Sequence, residues 1–460
     1  MNPRCKDVAP FGHNKCFILR LPIELQTQIF IECASYPYGQ LMIEHEAPQV
    51  LLLVCKYWRD LAYATSRLWS SFEIHFGTWE QNFKGTEGDA RILSRVRLWL
   101  RRSGNYPLHV KLFYKPVASR PRQGTLSHLM SEMLALLIRY SSRWQDIELS
   151  MPSSCFASLS SAAPGLDLSS LSSLVLNSIP STHSDFLDVR NLASNCGKLT
   201  RLHINFESGR VLTLDDCGVI FAQHPNLSSC KLYAQCLFDG SSEHSGHAVD
   251  KFILPALSEL HLTLYSRSNH GSNNSFSPQT ALTMFLNRLE LYVLTSLRFE
   301  WFVDNDRSSW SSCHPFFVKF LEAVEPTLET LSLGYLPLSE EQLIDCLRAT
   351  PYVTSAELLF SLGEEIEGPA ITDKLLRALT FIRRSGSIST SEPLLCMLQS
   401  LTLQCHGKVC SEQELVRFLE SRSNKQPHTL QTLKLRTQTP ILSGESRWID
   451  SGINVTEVCV

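Results

Sequence analysis

The chain has 460 residues, 43% of them apolar and 19% charged, with a formal net charge of -3 at pH 7. That composition belongs to a globular protein with a sizeable core and excludes a disordered chain. The near-neutral balance excludes a global positive field that would draw the protein to nucleic acid or to an anionic membrane, so the expected partners are proteins.

Residues 1–17 read as a flexible N-terminus, carrying Lys6, Asp7 and Lys15 and lacking the apolar core of a secretory signal. The longest apolar runs, such as Val50 to Cys55, fall far short of the roughly 20 residues that span a bilayer. A soluble protein of the cytoplasm and/or nucleus is expected. The cysteines number 15, an odd count spread over a long chain without an export signal, so buried free thiols are expected rather than disulfides. His13 with Cys16, and Cys405 with His406 and Cys410, are the nearest approach to a metal cluster. Neither supplies the four ligands a zinc site needs, and both read as ordinary packing.

Residues 18–76 read as a small all-α unit of three helical pieces. Pro22 is placed to open the first, with Leu25, Ile29, Phe30 and Cys33 at helical spacing behind it. A second helix is predicted from Pro48, with Leu51, Val54, Cys55, Trp58 and Leu61 on one stripe. Residues 65–69 then form a short turn ending in Leu68 and Trp69. A unit this small exposes apolar side chains unless something covers them.

In order along the chain come Leu21-Pro22-x-Glu24-Leu25, Ile29-Phe30, Val54-Cys55-x-x-Trp58-Arg59-x-Leu61-Ala62 and Leu68-Trp69. This series resembles the F-box motif in the form common among fungal F-box proteins, with a connection from Ala34 to Ala47 longer than in a minimal F-box. The resemblance implies that Leu21, Pro22, Ile23, Leu25, Ile29, Val54, Trp58, Leu68 and Trp69 bind a Skp-type adaptor and, through it, a cullin. Trp58, Leu68 and Trp69 are expected to mix core and interface roles.

Residues 77–150 read as a linking helix and first strands. The helix carries Ile92, Leu93, Val96, Trp99 and Leu100 on one face and five arginines, Arg91, Arg95, Arg97, Arg101 and Arg102, elsewhere. Those arginines suit an acidic partner, a phosphate backbone or plain solvent, and the last fits a chain that is not basic as a whole. After Ser103-Gly104 an alternating strand is predicted over residues 108–113.

From 151 to 440 the chain repeats. The pattern L-x-x-L-x-L, with substitutions, occurs nine times, beginning at Leu171, Leu199, Leu227, Leu257, Leu294, Leu328, Val353, Leu398 and Leu430. The period is loose, with polar insertions at 239–250, 266–278, 304–314 and 385–392 expected to be mobile, like the tail 441–460. Capping boxes at Ser339/Gln342 and Ser411/Glu414, and prolines after Ser277 and His314, mark helices between the strands. Strand and helix alternating in this way predict a parallel sheet lined by helices, an α/β architecture resembling a degenerate leucine-rich-repeat solenoid.

Residues between the apolar positions of each strand are expected on the open, concave face. They include Arg201, His203, Lys231, Glu259, His261, Arg298, Glu300, Thr402 and Lys434, which mix both charge signs. No hydrolase elbow, phosphate loop, dinucleotide fingerprint or zincin helix occurs, so neither intrinsic catalysis nor a cofactor is expected. The F-box resemblance implies a substrate-recognition subunit of a Skp-cullin-F-box ubiquitin ligase. The competing readings are a repeat scaffold without a ligase role, and an enzyme hidden in a divergent α/β domain, which would need a deep polar pocket.

Overall fold

A computed structural model of the chain describes residues 17–34, 48–76, 86–114, 123–179, 192–193, 195–206, 212–236, 251–266, 277–303, 310–360, 371–381, 394–405, 410–423, 430–438, 441 and 452–459. The insertions 239–250 and 385–392, most of 266–278 and 304–314, and His13, Cys16 and His406 lie outside them. The chain divides into two compact units, Met1–Met151 and Pro152–Val460.

In the first unit, α1 (Ile23–Ala34) starts where the Pro22 carbonyl accepts from the Leu25 and Gln26 amides at 3.0 and 3.1 Å. The helix expected from Pro48 is two helices, α2 (Leu51–Val54) and α3 (Lys56–Ala64), broken at an extended Cys55. The Cys55 thiol accepts from the Trp58 amide at 3.4 Å and so caps α3, while Arg59 Nε donates to the orphaned Leu52 carbonyl at 2.9 Å. That break swings Val54 outward, away from the stripe the sequence predicts.

A 3-10 turn, Ser66–Trp69, drives Leu68 and Trp69 into the core, with the Trp69 indole donating to the Ala62 carbonyl at 2.9 Å. Residues 71–76 do not stay irregular after it. Phe72, Ile74 and Phe76 alternate inward, and Ser71–Phe76 forms a strand, β1, so residues 18–76 are not all helical. Helix α4 (Thr86–Arg102) follows, then β2 (Leu108–Tyr114), α5 (Gln123–Ile138) and β3 (Trp144–Pro152). Strands β1, β2 and β3 pair in parallel. Trp99 of α4 meets Trp69 edge-on at 5.2 Å and Phe72 at 5.9 Å.

In the second unit each of the nine repeats becomes a strand: β4 (Ser173–Ile179), β5 (Arg201–Asn205), β7 (Ser229–Gln235), β9 (Glu259–Ser266), β11 (Ser296–Val303), β12 (Thr330–Gly334), β13 (Ser355–Leu359), β14 (Ser400–Cys405) and β15 (Thr432–Thr437). They pair in parallel in that order, with the repeat leucines in register and buried. The architecture is α/β, a parallel sheet with helices. Short β6 (Leu212–Thr213) pairs with β7, and β8 (Phe252–Leu254) pairs with β10 (Leu289–Leu291).

Just before each strand the chain makes the same hydrogen bond to the preceding rung. Thr200, Ser228, Ser258, Thr295, Glu329, Thr354, Gln399 and Gln431 each donate their amide to the equivalent carbonyl one rung back, at 2.7–2.9 Å. The tail is not wholly irregular, because Asn454–Cys459 forms β16, parallel to β15.

The expected helix starts are present, with one difference. Ser339 and Gln342 form the reciprocal box, and Ser277 accepts from the Thr280 amide ahead of helix Pro278–Leu286. Ser411 caps helix Glu412–Ser421, but its own amide goes to Asp373 Oδ1 at 2.7 Å, so Glu414 is freed for Arg417 at 2.6 Å. Thr213 and Asp216 form a further box at helix Leu214–Gln223. On that helix the Phe252 ring closes on Gly218, where a Cβ would stand 2.5 Å from the ring tip and force it to shift.

Arg422 is fully buried, with no carboxylate beside it among the described residues. Its guanidinium donates to the carbonyls of Leu379, Leu394 and Leu395 at 2.7–3.1 Å and stacks on Phe381 at 4.2 Å. Burial pulls its pKa down to about 10, so the group stays charged at neutral pH. The described cysteines are free thiols, most of them buried, and burial pushes Cys196 and Cys346 up to about 12. No described helix is long and apolar enough to cross a membrane.

Candidate functional site

Two surfaces present the sequence-predicted residues. In the first unit, Leu21, Ile23, Leu25 and Ile29 stand in solvent at the start and along one side of α1. Leu25 is 51% exposed, and a shallow open depression is lined by Leu21, Leu25, Gln28, Ile29, Glu32 and Cys33. Pro22 is exposed beside them. On α2, Leu53 and Val54 are 70% and 55% exposed, and Val50 and Tyr57 are also in solvent. So dense a set of large apolar side chains on a small unit marks a contact surface.

Three members of the predicted set are elsewhere. Leu68 and Trp69 are buried, and Trp58 tilts against the buried Phe30 ring at 4.9 Å. Their burial gives Leu68 and Trp69 a packing role within the unit, because the 3-10 turn places both under α3. Leu53, Val50 and Tyr57, absent from the sequence prediction, join the exposed set because of the Cys55 break.

In the second unit the strand register brings the predicted polar residues onto one face. One row runs His203, Lys231, His261, Arg298, Ser332, Glu357, Thr402, Lys434 across adjacent strands. Arg201 and Glu259 lie in the row on one side of it, and Glu300 in the row on the other.

Six of the nine join two hydrogen-bonded groups, and Arg201 lies beside the first. In the first, Ser229 Oγ donates to Glu259 Oε2 at 2.6 Å and lies 2.8 Å from His203 Nε2, while Lys231 pairs with Glu259 Oε1 at 2.8 Å. Since the Ser229 proton goes to Glu259, His203 donates from Nε2, which leaves only a loose 3.5 Å approach for Arg201 Nε. Burial, with help from Arg201 and Lys231, lowers the His203 pKa to about 4, so the ring is neutral.

In the second group Glu300 accepts from Arg298 Nε and Nη2 at 2.9 and 2.7 Å and from Thr263 Oγ1 at 2.8 Å, with His261 Nε2 at 3.3 Å. Burial works to raise its carboxyl, but these donors outweigh burial and hold the pKa at about 2. Arg298 Nη1 also reaches Glu357 at 2.9 Å, where Ser332 Oγ donates as well. Lys231 is thus balanced by Glu259, and Arg298 by Glu300 and Glu357. Thr402 and Lys434 share the row but make no hydrogen bond or ion pair among the described residues.

Ser229, Thr263, Ser332 and Glu357 escaped the sequence prediction although they obey the same alternation. Beyond them lie rings that periodicity did not single out. Tyr233 stacks on Tyr265 at 4.6 Å and Phe302 meets Tyr335 at 4.7 Å. Tyr335 has φ 58°, a left-handed conformation uncommon for a bulky residue, and its amide donates to the Leu359 carbonyl at 2.6 Å.

Among the described residues no cluster of His, Cys, Asp or Glu could hold a metal ion. On the sheet face Lys231, Glu259, Arg298, Glu300 and Glu357 are committed to one another. No protein-family model matches the chain, and no curated protein matches it.

Proposed function

We propose that the chain is the substrate-recognition subunit of a Skp-cullin-F-box ubiquitin ligase. Residues 18–76 act as the F-box that docks a Skp-type adaptor, and the strand-and-helix repeats act as a leucine-rich-repeat-like solenoid that binds a protein substrate. The exposure of Leu21, Ile23, Leu25, Ile29 and Val54 carries this reading, because the F-box-like motif assigns those same side chains to the adaptor. A small unit gains nothing from holding them in water unless a partner covers them. In this reading the protein performs no chemistry and needs no cofactor. Holding substrate beside the recruited enzyme raises the effective concentration of the transfer step.

The test is capture of purified Skp-type adaptor and cullin by the full chain, compared with Leu25→Asp/Ile29→Asp and Leu21→Ala/Pro22→Ala variants whose thermal melts match the wild type. Capture lost in the variants supports the reading. A folded wild type that captures neither protein overturns it and leaves a repeat scaffold.

A further inference from the structure

Helix α4 separates its residues by character. At 100° per residue, Ile92, Leu93, Val96, Trp99 and Leu100 fall on one side, where all are buried. The five arginines share the opposite arc with Ser94 and Leu98, and Leu98 stands 46% exposed among them. From Ala90 to Arg102 there is no acidic residue. Like charges four apart, as at Arg91/Arg95 and Arg97/Arg101, weaken a helix by a few tenths of a kcal/mol per pair.

The arginines differ in what holds them. Arg102 lies over the Tyr63 and Trp69 rings at 4.3 and 4.5 Å. Arg91, Arg97 and Arg101 are exposed and make no ion pair with any described residue. The helix dipole rewards cations in the last turn, which accounts for Arg101 and Arg102 but not for Arg91 or Arg97. A solvated helix face ordinarily mixes both signs; here Glu87 falls on the arginine arc in the first turn, and from Ala90 on the arc carries positive charge alone.

We propose that this face of α4 docks an acidic segment of a protein partner, with carboxylates meeting Arg91, Arg97 and Arg101 and an apolar side chain of the segment resting on Leu98. Charge complementarity identifies the partner's sign. The central leucine favours a peptide over a nucleic-acid backbone, since phosphate has no use for an apolar knob. The net charge of -3 supplies no long-range pull on a polyanion. This site is independent of the adaptor reading, because neither α1 nor α2 contributes to it.

The experiment is fluorescence anisotropy on the full chain with three labelled probes of equal length: a peptide of Glu-Glu-Leu repeats, an all-glutamate peptide and a double-stranded DNA oligomer. The Glu-Glu-Leu peptide is expected to bind saturably, more tightly than either other probe, and to weaken as salt rises. Arg91→Glu/Arg97→Glu/Arg101→Glu should weaken it by about tenfold or more. Leu98→Ser should weaken it by roughly fivefold and leave the all-glutamate peptide unchanged. All the substituted side chains are exposed, and thermal melts check folding. If the triple variant does not fold, Arg97→Gln/Arg101→Gln takes its place. No saturable binding by the wild type, tighter binding of DNA, or indifference to either substitution overturns the proposal.

Discussion

The two units treat surface chemistry in opposite ways. On α1 and α2 the first unit holds large apolar side chains that no described residue covers. On the sheet face of the second unit most charges are paired, along a strand as in Arg298 with Glu300 or across strands as in Lys231 with Glu259 and Arg298 with Glu357. The first arrangement draws its affinity from burying apolar area. The second gains little from bulk charge and discriminates by shape and by which hydrogen bonds a ligand can share without breaking the network. A docking surface and a selecting surface differ in this way.

The comparison breaks first if packing residues and contact residues of the F-box-like motif prove interchangeable. Trp69→Ala is expected to cost about 3–5 kcal/mol in urea unfolding, from its buried indole and lost hydrogen bond, whereas Leu25→Ala should change stability by less than about 0.5 kcal/mol. In the second unit, Arg422→Met leaves the Leu379 and Leu394 carbonyls without donors and the Leu395 carbonyl with the Leu398 amide alone, and is expected to cost about 3 kcal/mol. Glu300→Gln keeps the shape of the sheet face but removes its charge-assisted bonds, an expected loss of about 1–2 kcal/mol by the same measurement.

Acid sharpens the contrast. His203 is neutral in the fold with a pKa of about 4, below its ordinary 6.5, so the unfolded chain takes up the proton first. Stability from this site is complete above pH 6.5 and is lost as pH falls toward 4. Glu300, held at about 2 against an ordinary 4.5, adds stability above pH 4.5 that is lost as pH falls through 2. Unfolding free energies measured between pH 7 and pH 3 should therefore fall, and His203→Gln should flatten the upper part of that decline.

The nine repeat strands were legible because a buried leucine face cannot be hidden in a sequence, and the alternation that marks it also puts Arg201 through Lys434 on the opposite side. Three features were not. Strand β1 follows a helical motif so closely that its Phe72, Ile74, Phe76 alternation was absorbed into it. Strand β16 buries so little that no pattern shows. The α2/α3 break depends on a cysteine acting as a helix cap, a use its side chain seldom serves. Whether a strand residue joins the network depends on its neighbour across the sheet, as Thr402 and Lys434 show, and single-strand periodicity carries no such information.

The hydrogen bond that precedes each rung sets the spacing of the sheet without reference to what lies between rungs. The chain uses 25 residues from Leu328 to Val353 and 45 from Val353 to Leu398, yet both intervals close on the same 2.7–2.9 Å bond. Such a frame lets connecting segments lengthen or shorten in descent while the strand face keeps its alignment, so new contacts can be tried at a rung's edge without rewriting the ones already there.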